Sequence, residues 1–241
     1  MVTLKMAIIF LMEQIRTPFS LIWTIMSPTV LFFFLHFNEI ELHYGDTAWL
    51  GKQISWFVGY ISFSVVLFNY CLYLVGRRES GFIATFVHNM DGRLLFIRSQ
   101  LIASLIMSIL YVFFFILVVL TGFQASPDYQ IVMIILKSIY INAFMMVSLT
   151  FMASFRVTFQ TASTIYSVLI TVCMVSGIVS LKYNEGIVYW INQVNPIAIY
   201  STILQSDQEL SLMTIFFYSI ILIISIISAL TFKTEPVWSS Q

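Results

Sequence analysis

The chain has 241 residues, 60% of them hydrophobic and 9% charged, and its net charge is zero. A typical soluble domain carries about 45–50% apolar and about 25% charged residues, so a water-soluble fold could not hide this much apolar surface. The charge balance points to neither a nucleic-acid nor an acidic partner, and Cys71 and Cys173, both inside apolar runs, read as small packing residues.

In chain order, residues 2–15 place Leu4, Ile8, Leu11 and Ile15 at helical spacing, with Lys5, Glu13 and Gln14 elsewhere. That is the pattern of a helix lying on the inner membrane face. The segment lacks the long apolar core and small-residue cleavage site of a signal peptide. Apolar runs follow at 19–37, 54–76, 101–122, 131–153, 159–181 and 212–232, each near the length of about 20 residues that a crossing needs. None alternates as a barrel strand would, and in lipid such runs must be helical. The expected fold class is therefore all-α: a polytopic membrane protein with six transmembrane helices in a single domain over 1–241. Between the fifth and sixth runs, 182–211 is apolar only in short pieces, 187–191 and 197–204, split by Asn195-Pro196. These read as two short re-entrant helices dipping in from outside, broken where proline cannot continue a helix.

Basic residues set the expected direction. With a cytoplasmic N-terminus, the inner segments hold Lys5, Arg16, Arg77, Arg78, Arg93, Arg98, Arg156 and Lys233, and the outer ones Lys52 and Lys182. Eight against two is a positive-inside bias. The chain is thus expected in the plasma or inner membrane with both termini cytoplasmic. Trp23, Trp49, Trp56, Trp190 and Trp238 fall near run ends, at headgroup depth.

No catalytic constellation stands out. His36 and His43 lie at the outer end of the first run and in the loop after it, and His88 is cytoplasmic, so no pair has metal-ligand spacing. The stretch from Gly45 to Lys52 imitates a phosphate-binding loop, but it has five residues between its glycines, and Gln53 follows the lysine. A true loop has four residues there and then Ser or Thr. None of the acidic residues falls inside a run, where a proton- or ion-coupled transporter places its carboxylate. Lys137, about two turns into the fourth run, can snorkel to the outer headgroups.

The largest cytoplasmic connection, 77–99, holds an apolar patch in which Phe82 and Phe86, and Ile83 and Val87, are i,i+4 pairs. Apolar surface outside the membrane usually has a partner. Together with the inner-face helix, six runs and paired short outer segments, this resembles the permease subunits of ABC exporters of the ABC-2 type. The coupling segment of that family commonly reads as glutamate, any residue, glycine, threonine, an apolar helix, then proline and a Ser-Arg pair. The match falls on Glu79, Gly81, Ile83, Phe86, Val87 and Arg93. The chain departs at Phe82, where threonine is usual, at Met90 in place of the proline, and at Gly92 in place of the serine. Arg16-Thr17-Pro18 and Asn195-Pro196 are also similar to the family.

The resemblance implies a half-transporter: two permeases, identical or related, enclose a path, and cytoplasmic ABC ATPase subunits carrying ATP and Mg drive it. This chain would bind no cofactor and catalyse nothing itself. Phe82 and Phe86 are expected to enter a groove on the ATPase, with Glu79 near the helix N-terminus. Small and polar residues in the fifth run, Ser163, Ser167, Thr171, Ser176 and Gly177, mark an expected dimer contact. Membrane walls rich in Phe, Tyr, Met and Ile suit an amphipathic or hydrophobic cargo such as a peptide or drug-like molecule. A glycopolymer or teichoic-type polymer is the alternative cargo. An ATP-independent channel or transporter, or an immunity or scaffold protein, is the alternative class.

Overall fold

The structure, a computed structural model, describes residues 2–16, 18–83, 89–180, 185–205 and 212–232. Its helices are α1 (Val2–Ile15), α2 (Pro18–Leu35), α3 (Thr47–Glu79), α4 (Met90–Gly122), α5 (Tyr129–Ser154), α6 (Phe159–Ser180), α7 (Gly186–Val194), α8 (Pro196–Gln205) and α9 (Leu212–Leu230). Among the described residues there is no strand, so the fold is all-helical as expected. By length and composition α3, α4, α5 and α6 can each cross a membrane, while α2 and α9 hold the shorter apolar stretches Thr24–Leu35 and Thr214–Leu230.

Local chemistry sets the helix ends. Asp46 caps α3 by accepting the Trp49 N–H at 3.0 Å, and Asn89 caps α4 by accepting the Gly92 N–H at 2.8 Å. The imitation phosphate loop is thus the turn at Gly45 and the first turns of α3. At the other end of α3, Gly81 has φ +74°, a backbone that favours glycine, and its N–H bonds the Arg78 carbonyl at 3.0 Å. Met90, where the family has proline, occupies the first position of α4, where a missing N–H costs nothing.

The helices α3 and α4 outrun their apolar cores. Each has 33 residues, a rise of about 50 Å against a hydrocarbon thickness of about 30 Å. The charges at Asp91, Arg93 and Arg98 end the apolar run but not the helix, because arginine and leucine are good helix formers.

The helix at the centre is α3: 72% of its most apolar window is buried, against 28% for α6. It joins an Asp46 end, where Gly45 N–H bonds the Phe123 carbonyl and Thr47 hydroxyl reaches Asp128, to an Arg78 end. Arg78, 1% exposed, donates to the carbonyls of Ala153 (3.0 Å) and Val157 (2.8 Å), stapling α3 to the C-terminus of α5 and the turn after it. The middle of α3, Val65–Leu72, is π-helical. A wider turn leaves carbonyls to be satisfied from outside the ladder. The Asn69 carbonyl accepts from Gln100 Nε2 at 2.7 Å and from Ser104 Oγ at 3.0 Å, both on α4.

The helix expected over 2–15 is present. Ala7, Phe10 and Gln14 are its buried positions, Phe10 packing edge-on to Phe96 of α4, while Leu4, Ile8 and Ile15 are exposed. Glu13 ties α1 to α3, accepting from Tyr73 OH at 2.6 Å and from Arg77. Leu4, Ile8 and Ile15 are therefore left for whatever surrounds the protein, while Leu11 is half-buried and Ala7, Phe10 and Gln14 make the intramolecular contact.

Between α6 and α9 the chain makes a hairpin. Asn195, 3% exposed, forms its apex: Nδ2 donates to the Cys173 carbonyl (2.8 Å) and Ser176 Oγ (3.1 Å) of α6, and Oδ1 accepts the Ile197 N–H (3.0 Å). From there α8 runs back along α3, with Ile197 and Tyr200 against Gly59 and Gln205 at the Lys52 carbonyl. A Cβ on Gly59 would lie 2.8 Å from Tyr200 Cβ and 2.9 Å from the Ile197 carbonyl oxygen, so this close approach requires glycine. Tyr200 OH donates to Asn142 (2.7 Å), whose amide donates to Ser108 (2.8 Å), joining α8, α5 and α4 through buried polar contacts.

Candidate functional site

One face of α3 escapes burial. Tyr60, Ser64 and Phe68 recur every four residues and are half-buried, while most of their neighbours are buried. This stripe opens into a cavity of about 480 Å³ bounded by Thr24 and Ser27 of α2 and by Ser167 and Thr171 of α6. Asn69, in the π-helical stretch, lies at one end of it. Its side-chain amide is 3.4 Å from Tyr111 OH and 3.5 Å from Gln14 Oε1. The groove thus touches the polar cluster that holds the π-helix, including Gln100, whose Oε1 is buried without a hydrogen-bond partner among the described residues.

The lining is hydroxyl-rich but not hydrophilic. The Ser167 hydroxyl donates back to the Ser163 carbonyl (2.8 Å) and Thr171 to the Ser167 carbonyl (2.8 Å), so both turn their carbon faces outward. Together with the rings of Tyr60 and Phe68 they form a surface suited to a molecule of mixed polarity.

Of the residues expected at a dimer contact, Ser167 and Thr171 are exposed, and Ser163 and Ser176 half-buried, on the sparsely covered α6. Gly177 departs from that group. It is buried under Trp56 of α3, where an added Cβ would lie 2.9 Å from Nε1.

The coupling residues divide. Ile83 is fully buried, and Phe82 packs back on this chain, 6.5 Å from the Phe96 ring, with the Arg77 guanidinium 4.9 Å over its face. In the chain by itself Phe82 is thus half-buried against its own neighbours. Glu79 lies 3.5 Å from Arg78 Nε, and Arg93 is half-buried near the start of α4. Phe86 and Val87 lie outside the described residues, as does His88. The other histidines serve local turns: His36 contacts Glu39 at 2.6 Å, and His43 contacts Asp46 at 3.3 Å while stacking on Trp49.

Two more cavities lie elsewhere. One of about 520 Å³ sits at the Asp46 end between α3, α5 and α8, beside Lys52 and Gln130. The other, of about 270 Å³, lies deeper between α5, α8 and α9 and is almost wholly apolar. No family model matches this sequence.

Proposed function

We propose that this chain is the membrane-spanning subunit of an ATP-driven exporter of the ABC-2 type, moving an amphipathic cargo. In this reading α2, α3, α4, α5, α6 and α9 are six crossings, and the Arg78 end, with both termini, is cytoplasmic. The hairpin of α7 and α8 is re-entrant from the outside. Helices α2 and α9, of 18 and 19 residues, rise about 27–28 Å, close to the hydrocarbon thickness. Cytoplasmic ABC ATPase subunits supply ATP and Mg, and a second permease, identical or related, completes the path.

The observation that carries this reading is the groove of Tyr60, Ser64, Phe68 and Asn69 flanked by Thr24, Ser27, Ser167 and Thr171. It is walled by three helices, one of which is the sparsely covered α6. A second copy facing it across α6 would turn two grooves into one enclosed route with mixed polar and aromatic walls.

The test uses single cysteines at Ser167 and Thr171 in a background where the buried Cys71 and Cys173 are replaced by alanine. Cross-linking between two permeases is expected at both positions. Ser167→Trp and Thr171→Trp should cut substrate-stimulated hydrolysis by a co-purified ATPase about tenfold, a loss of about 1.4 kcal/mol in transition-state terms, without affecting membrane insertion. Intact assembly and transport in both tryptophan variants would refute the groove as the route.

A further inference from the structure

We propose that the seam between α5 and α8 binds an anionic phospholipid, apart from the groove. The leaflet assigned to it, the outer one, rests on the orientation proposed above. The cavity beside Lys52 and the apolar one between α5, α8 and α9 open on one face of α5. Gln130, Ile134, Ile141 and Met145 follow one another at intervals of four, seven and four residues, which keeps them on one side of a helix. The first two line the cavity beside Lys52 and the last two line the apolar cavity. The seam therefore passes from polar to apolar as it descends.

The dimensions fit one leaflet. Gln130 to Ile141 spans a rise of about 16 Å along α5, near half the hydrocarbon thickness of about 30 Å. The upper cavity, about 520 Å³, has room for a headgroup, and the lower, about 270 Å³, is walled by Phe144, Ile199, Ile203 and Ile215. In a membrane the abundant molecule with a polar head above an apolar chain is a lipid.

Charge selects the kind of lipid. Lys52 is the charged residue lining the upper cavity, it is exposed, and among the described residues no carboxylate pairs with it. Its backbone is fixed from α8, since Gln205 Nε2 donates to the Lys52 carbonyl at 3.2 Å. Among the described residues, the carboxylates at this end of α3 and α5 are otherwise engaged. Asp46 accepts the Trp49 N–H and meets His43, while Asp128 accepts the Tyr129 N–H and the Thr47 hydroxyl, and neither lines the cavity. Lys137 shares the α5 face, midway between Ile134 and Ile141, and adds a second positive charge along the seam.

The experiment measures lipid retention by native mass spectrometry on the full chain released from nanodiscs, titrated with phosphatidylglycerol or phosphatidylcholine. One phosphatidylglycerol per chain is expected to bind more tightly than phosphatidylcholine. Lys52→Gln should weaken phosphatidylglycerol about fivefold, the worth of one lysine at a charged membrane surface, and leave phosphatidylcholine unchanged. Ile215→Trp, at an exposed position beside the lower cavity, should weaken both. Glycerophosphate, a headgroup without a tail, should not displace the lipid. Equal binding of the two lipids, unchanged retention in both variants, or displacement by glycerophosphate would each overturn the proposal. ATPase association is read in the same preparations, so its loss with lipid binding intact would count against the exporter reading alone.

Discussion

Replacing Asn195 by alanine removes three contacts at the apex of the α7–α8 hairpin. The amide donates to the Cys173 carbonyl and Ser176 Oγ, and its oxygen caps α8 through the Ile197 N–H. The cap contributes about 1 kcal/mol, and side-chain hydrogen bonds inside membrane proteins average about 0.6 kcal/mol each, so the total is about 2 kcal/mol. The loss is not larger, because the Cys173 carbonyl keeps its place in the α6 ladder and is not orphaned. For a chain of this size about 2 kcal/mol corresponds to roughly 4–8 °C in Tm. Asn195→Ser can still cap α8 but is too short to reach α6, so about half of the loss is expected. The assay is thermal unfolding of purified protein in one detergent, followed by tryptophan fluorescence. A serine variant as unstable as the alanine variant would refute the cap's share, and an alanine variant within 1 °C of the parent, a precision of about 0.3 kcal/mol, would refute the apex altogether.

Arg78→Met should cost about 3 kcal/mol, since two charge-assisted bonds to Ala153 and Val157 vanish and leave carbonyls at a helix end unpaired. Arg78→Lys should recover part of this in the same melt. Phe82→Ala should mainly lower stability through lost contact with Phe96 and Arg77, whereas Phe86→Ala should weaken ATPase retention more than tenfold, the cost of an interface anchor at about 2–4 kcal/mol. Equal ATPase retention in the two variants would contradict that division. The Trp49 N–H, followed by His43, holds the Asp46 carboxyl below its ordinary value of 3.8. A lowered folded-state value means that the cap's stabilisation is present above 3.8 and fades as pH falls through the lower folded value. Protection of the Trp49 amide, taken relative to its intrinsic exchange rate at each pH, should therefore fall as the pH drops below about 3.8, and Asp46→Asn should flatten that dependence.

Much of the helix inventory was legible because it depends on local chemistry. Asn195-Pro196 reads as a break and is one, whereas Asp46 and Asn89 as caps and Gly81 as a helix end with a positive φ emerge from the structure, though each is a signal of the same local kind. These residues act within three or four positions of themselves, so their meaning survives without knowledge of the fold. The helix ends at α3 and α4 were drawn too short for a related reason. Hydropathy marks where apolar residues stop, and a helix can run on through Arg93 and Arg98.

Facing directions were not legible. In water a helix is apolar where it is buried, but in a chain this hydrophobic both the packed side and the outer side are apolar. Mean hydropathy is therefore the same, 1.9, for α5 and α6, although 44% of one window and 28% of the other are buried. The same loss of contrast hides the packed side of α1, where Ala7, Phe10 and Gln14 are buried while Leu4, Ile8 and Ile15 face outward. Arg78 could not be told from Arg77 by type, yet one is buried against two carbonyls and the other is partly exposed beside Glu13. What the sequence did hold was polarity inside apolar runs. Asn69 and Asn142 are amides in such runs: the half-buried Asn69 amide reaches Tyr111 of α4 and Gln14 of α1, and the buried Asn142 amide joins Ser108 of α4 to Tyr200 of α8. A polar side chain is costly there unless partnered. An amide in an apolar run therefore marks where helices meet, and this signal, unused in the hydropathy reading, falls on both the π-helical turn beside the groove and the tie between α4, α5 and α8.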